Sequence, residues 1–205
     1  MDITANLSEQ LRYVKRSLHG MMNGPVSASM REKGLAYKVI FGVELPRLQA
    51  FSEELPHTYE LAASLWKEDI RECRLLAGML MPVDKMDVQL AELWIEQMRY
   101  AEEAECTTLH LFSREPWAST KAFEWIASTA DMKQLCGYLL LARLFMQGHV
   151  PSQRDAAEYL DQTASVLRQG VQGMVARAAH KALVKYMDLG DEEERLAEDM
   201  IQTLA

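Results

Sequence analysis

The residues able to do chemistry in this chain are dispersed. His19, His57, His110, His149 and His180 form no HExxH or comparable ligand pair. Cys73, Cys106 and Cys136 are an odd number without metal-ligand spacing, which suits neither a zinc site nor a secreted disulfide framework. Lying within helical stretches, they read as small buried apolar residues. P-loop, GxGxxG and GxSxG patterns are absent, which removes the commonest nucleotide and hydrolase chemistries. The acidic runs at Glu102-Glu103, Glu105 and Asp191–Glu194 read as solvated helix starts, where the helix dipole favours negative charge. Only the N-terminal stretch has an electrostatic case for a polyanion. Arg12, Lys15, Arg16, Arg31, Lys33, Lys38 and Arg47 give residues 1–51 seven basic against four acidic side chains, a mild excess of +3.

These groups must be positioned by helices. The chain has 205 residues and a net charge of -8, with 49% apolar and 25% charged residues. Ten Gly and six Pro are too few for a turn-rich β protein, and thirteen Met with many Leu, Ala, Glu and Gln favour helix. Residues 52–150 carry -7 and residues 151–205 carry -4, and this acidic balance argues against contact with nucleic acid over the whole surface. Periodicity predicts helices over Ser8–Asn23, Ser27–Phe41, Pro46–Leu55, His57–Lys67, Asp69–Met81, Asp84–Tyr100 and Glu103–Ser113. Trp117–Ala127, Asp131–Gln147, Gln153–Arg168, Val171–Leu189 and Asp191–Leu204 follow. The β-like run Lys38-Val39-Ile40-Phe41 falls inside one of them, and no strand is expected. The helices, joined by short loops, pair antiparallel and stack into a solenoid or close into a bundle. Asp131–Gln147, apolar almost all round, is the expected central helix. Trp66 and Trp94 read as core, Trp117 and Trp125 as inter-helix packing. The Met1-Asp2-Ile3-Thr4 start has no signal-peptide pattern and no stretch is long enough to span a membrane, so a single domain over residues 1–205 in the cytoplasm is expected.

Three segments in order resemble the AlkD-type DNA alkylation repair proteins. The first is Tyr37-Lys38-Val39-Ile40-Phe41-Gly42-Val43-Glu44-Leu45-Pro46-Arg47-Leu48, similar to the family's Phe-Gly-Val turn leading into a helix opened by Pro. The second is Leu65-Trp66-Lys67 followed by Glu72-Cys73-Arg74-Leu75-Leu76-Ala77, and the third is Ala178-Ala179-His180-Lys181-Ala182-Leu183 ending in Tyr186. The resemblance covers nearly the whole chain. It implies an all-α fold, a curved α-solenoid (α-α superhelix) of about five to six antiparallel HEAT-like helix pairs.

It also implies a function: duplex DNA bound along a basic concave groove, with alkylated purines excised without metal or other cofactor. The implied site is a carboxylate with aromatic residues around the damaged nucleotide, plus an Arg near the backbone. The carboxylate stabilises an oxocarbenium-like sugar, and aromatic faces attract the cationic base. This chain departs from that pattern. One register against the family's Trp-x-x-x-Asp puts Ala101 and Glu105 at the two positions, keeping the carboxylate alone. The shifted register puts Tyr100 and Ala104 there, keeping the ring alone. Gln134 falls at the Arg and Lys181 at a second Trp. The expectation is a family member with a degenerate site that binds duplex or structured DNA weakly and lacks efficient excision. Glu105 is its candidate catalytic carboxylate, and Arg31, Lys33, Lys38, Tyr100, Lys133, Gln134 and Lys181 are its candidate nucleic-acid contacts. The alternatives are an active glycosylase using Glu105, or a scaffold holding a protein partner on its concave face.

Overall fold

The computed structural model describes residues 6–170 and 173–204. Met1–Thr4 and the predicted helix start at Val171 lie outside them. The described residues form twelve α-helices in two compact units, divided after Asp87.

The first unit holds α1 (Leu7–Gly20), α2 (Gly24–Glu32), α3 (Leu45–Glu53), α4 (Tyr59–Trp66) and α5 (Arg71–Leu80). A capping box starts α1: the Asn6 side chain accepts from the Glu9 N–H, and the Glu9 carboxylate accepts from the Asn6 N–H. Pro25 and Pro46 sit in the first turns of α2 and α3, where a missing N–H costs nothing. All ten residues of α5 are buried, packed by α4 and α3.

Glu72 on α5 is the organising side chain of this unit and is fully buried. Its Oε1 accepts from the backbone N–H groups of Gly42 (2.9 Å) and Val43 (3.2 Å), and its Oε2 from that of Phe41 (3.1 Å). The Arg71 guanidinium bridges the assembly, donating to Glu72 Oε1 at 3.3 Å and to the Val43 carbonyl at 3.1 Å. Three consecutive N–H groups can converge on one carboxylate only if the chain turns sharply, and Gly42 makes the turn at φ +75°. A Cβ at Gly42 would collide with the Asn23 carbonyl and lie 2.7 Å from the Ser27 nitrogen.

This clamp corrects the predicted Ser27–Phe41 helix, which ends at Glu32. Residues 33–44 run without helix, and Val39 forms a parallel bridge with Ile70, with Val39 N–H donating to Asp69 O (3.2 Å) and Arg71 N–H to Val39 O (3.1 Å). Acceptors on Glu72 and Asp69 satisfy backbone donors that a helix would otherwise have satisfied. Asp84 likewise does not cap a long helix. It lies in a 3₁₀ turn, Val83–Lys85, and the next α-helix starts at Val88.

The second unit holds α6 (Val88–Gln97), α7 (Ala101–His110), α8 (Ala118–Ile126), α9 (Asp131–Met146), α10 (Gln153–Arg168), α11 (Met174–Met187) and α12 (Asp191–Gln202). As expected, α9 is central and is contacted by α11, α8, α7 and α6. Its approach to α8 depends on Gly137, where an added Cβ would lie 2.7 Å from Ile126 N and 3.0 Å from Ala122 O. Phe145, Tyr159 and Tyr186 meet with ring centroids 5.3–5.4 Å apart and join α9, α10 and α11. Phe112, Trp117 and Trp125 form a second cluster at 5.6–5.8 Å, the packing role expected of both tryptophans.

Two substitutions test these supports. Glu72→Gln keeps the shape but donates where two N–H groups and Arg71 also donate, and should cost about 2–4 kcal/mol in urea unfolding. A loss below about 0.5 kcal/mol would show that the turn holds itself. Gly137→Ala should cost about 1–3 kcal/mol through overpacking against α8, and an unchanged midpoint would contradict the close contact.

Candidate nucleic-acid interface

In the first unit, the candidate nucleic-acid cations stand at the surface. Arg31 at the end of α2, Lys33 just beyond it and Lys38 in the extended segment are all exposed. Arg31 Nη1 donates to the Tyr37 carbonyl at 3.1 Å, drawing the end of α2 to the segment that Glu72 seats. On α1, Arg12, Lys15 and Arg16 border a shallow depression with Ser8 and Leu11. Lys15 is tied to Glu68 at 2.6 Å, whereas Arg12 and Arg16 enter no ion pair among the described residues. Between α1 and α3 a groove is lined by Tyr13 and Arg47, among others. Tyr13 packs against Phe51 with centroids 6.4 Å apart yet remains 39% exposed, so it presents a ring beside cations. Tyr13 was not legible as a site residue, because its sequence neighbours carry no motif.

Trp66 and Trp94 are buried, so neither offers a face for a base. Arg74 stacks over Trp66 at 4.0 Å and donates to its carbonyl at 3.0 Å. Burial pushes the Cys73 and Cys136 thiols up to about 12, which leaves them unreactive at neutral pH. Among the described residues, no three His, Cys, Asp or Glu side chains are placed to hold a metal ion.

In the second unit, the expected positions have different fates. Glu105 is exposed midway along α7, and the residue one helical turn before it is Ala101. Tyr100 is the half-buried residue preceding α7, with the Arg99 guanidinium 5.6 Å over its ring. The buried carboxylate of α7 is Glu103, 1% exposed, which accepts from Arg99 N–H (2.6 Å) and Tyr100 N–H (3.4 Å). This corrects the reading of Glu103 as solvated: it closes the α6–α7 junction by satisfying donors at a helix start. Gln134 donates through Nε2 to the Ile126 carbonyl at 2.9 Å, capping the end of α8. Lys133 pairs with Glu92 on α6 at 3.3 Å, and Lys181 is exposed on α11.

Glu92 gathers more than Lys133. Trp125 Nε1 donates to it at 3.3 Å, and Lys121 lies 3.7 Å away while also pairing with Glu124. Burial alone would raise the Glu92 pKa. The hydrogen bonds from Trp125 and Lys133, with the charges of both lysines, outweigh burial and hold it below the ordinary value. Nothing in the spacing of residues 92, 121, 125 and 133 announces this convergence of three helices.

The described residues form an all-helical protein. The match to known families is more particular: residues 14–170 match the model of the DNA alkylation repair enzyme family, and the chain belongs to that family. Among solved structures, it is similar over 95% of its length, with a TM-score of 0.81 and 16% identity, to a protein of "a new family of proteins related to the HEAT-like repeat DNA glycosylases with affinity for branched DNA structures". The match covers 83% of that chain and shows that the fold is of the HEAT-like repeat kind. No curated protein matches. No described helix is long and apolar enough to cross a membrane.

The Glu92 arrangement has a pH signature. A carboxylate with a lowered folded pKa stabilises above its unfolded value, and the contribution fades as pH falls through the folded value. Glu92→Gln should therefore lower stability by no more than about 1 kcal/mol at neutral pH, given its partial exposure, and the difference should vanish below the ordinary glutamate range. A penalty that persists in acid would show that packing, not charge, is responsible.

Proposed function

We propose that this family member is a DNA-binding protein that recognises branched or otherwise distorted DNA through the cations of its first unit and does not excise alkylated purines efficiently. It acts as a single HEAT-like domain, in a reducing cytoplasm where Cys73, Cys106 and Cys136 stay as thiols. The observation that carries the reading is the unequal fate of the two candidate sets. Arg12, Arg16, Arg31, Lys33, Lys38 and Arg47 are exposed and enter no ion pair among the described residues. By contrast, Gln134 and Lys133 are engaged inside the fold, and Glu105 has no ring one turn away.

Physical chemistry supports both halves. Exposed Lys and Arg gain affinity by releasing phosphate counterions, and a ring such as Tyr13 can stack on a base that a junction leaves accessible. The affinity of the structurally similar protein for branched DNA is consistent with that choice of ligand. Excision needs charge stabilisation at the sugar, and losing one preorganised electrostatic group typically costs about 10²–10³-fold. The missing groups need not multiply, since site residues act as a unit. One loss already leaves little above the spontaneous departure of a labile cationic base.

A second reading has its own support: the second unit carries 18 acidic against 11 basic residues, a field that suits a protein partner better than DNA. Two assays separate these. With four-way-junction DNA, binding should weaken steeply with salt. Arg12→Ala with Arg16→Ala should reduce the log–log salt slope by up to about 2 if both contact phosphate. Release of 3-methyl- or 7-methylpurines from alkylated duplex should match the no-protein control. Release well above that control and abolished by Glu105→Gln would establish an active glycosylase. Absence of DNA binding even at low salt would leave the scaffold reading.

A further inference from the structure

A groove of about 660 Å³ runs between α10 and α12 in the second unit. Ala156, Leu160 and Ala164, spaced by one helical turn, form one wall, and Met200 of α12 the other. Only Ala197 and Met200 of α12 are buried, so α12 covers α10 incompletely. The volume is that of a small-molecule site, about 300–1,000 Å³. The family match ends at residue 170, so it covers the α10 wall but not α11 or α12.

Its rim is negative. Asp161 of α10 and Glu192 and Glu193 of α12 line it and enter no ion pair among the described residues. Asp199 also lines it but is paired with Arg195 at 3.2 Å, and Arg168 is the one basic lining residue. The carboxylate field reaches the floor. Tyr186, which closes the groove from α11, has its hydroxyl pushed up to about 12 by burial first and then by the charges of Glu193 and Glu192. An anion placed there would meet the same field, and a neutral apolar ligand would leave it unused.

We propose that the α10–α12 groove is a binding site for a small apolar organic cation, its hydrocarbon part against Ala156, Leu160, Ala164 and Met200 and its ammonium between Asp161, Glu192 and Glu193. The site is independent of the nucleic-acid reading, because no residue proposed to contact DNA lines it. Three probes of the same skeleton isolate charge: 4-phenylbutylamine, 4-phenyl-1-butanol and 4-phenylbutyrate. Binding to the full chain is measured by calorimetry at low salt and by the shift of the Met200 methyl resonance. The amine should bind saturably, at least tenfold tighter than the alcohol, and the carboxylate should not saturate. Asp161→Asn with Glu192→Gln and Glu193→Gln should bring the amine to the affinity of the alcohol while leaving the alcohol unchanged. Ala157→Trp, at an exposed lining position, should block amine and alcohol alike with circular dichroism unaltered. Equal affinity for all three probes, amine binding unaffected by the triple substitution, or binding that leaves the Met200 methyl unmoved would overturn the proposal.

Discussion

The seating of Phe41, Gly42 and Val43 on the buried Glu72 carboxylate is the constraint on which the first unit depends. A fully buried carboxylate is costly unless its oxygens are satisfied, and here three backbone N–H groups and a guanidinium satisfy them. In return, the carboxylate fixes the turn that sends the chain from the extended segment into α3. It sets the bridge between Val39 and Ile70 and, through the Arg31–Tyr37 contact, the end of α2. The exposed Arg31, Lys33 and Lys38 therefore flank a loop held from within. Cations on a held loop lose less side-chain and backbone freedom on meeting a phosphate than the same cations on a free tail.

The second unit solves a different problem. Its centre is a helix apolar on nearly every side, which neighbours approach closely because Gly137 has no side chain. Its polar groups serve the architecture: Glu103 closes a helix start, Gln134 a helix end, and Glu92 collects Trp125, Lys121 and Lys133 from two neighbouring helices. Residues occupied in this way are held by the fold and not offered to a substrate. On the proposed reading, the fold is kept while the positions expected to stabilise a departing base serve the architecture, as Gln134 does, or lack a ring one turn away, as Glu105 does.

Much of the architecture was legible from residue types alone. Pro25, Pro46 and Pro82 mark real helix limits, and the all-round apolarity of α9 correctly places it at the centre. Segments whose conformation is decided by a distant partner were not legible. Ile40 and Phe41 continue a helical apolar pattern, and the Glu72 carboxylate, 31 residues from Phe41, holds the chain out of it. Glu103 and Glu105 are identical in type and two residues apart. Helical geometry sends one inward and the other to solvent, and no motif distinguishes them. The Glu92 cluster and the ring of Tyr13 beside Arg47 were invisible for the same reason, since each exists only once separate helices are packed.

The central claim is that DNA is engaged by the cations of the first unit and not by a catalytic centre on α7. Backbone amide and arginine side-chain resonances recorded while four-way-junction DNA is titrated at low salt test it most directly. The account predicts shifts concentrated on α1, around Arg12, Tyr13 and Arg16, and on residues 31–38, with α7 unmoved. Shifts confined to Tyr100, Glu105 and their neighbours on α7, with the first unit silent, would contradict it.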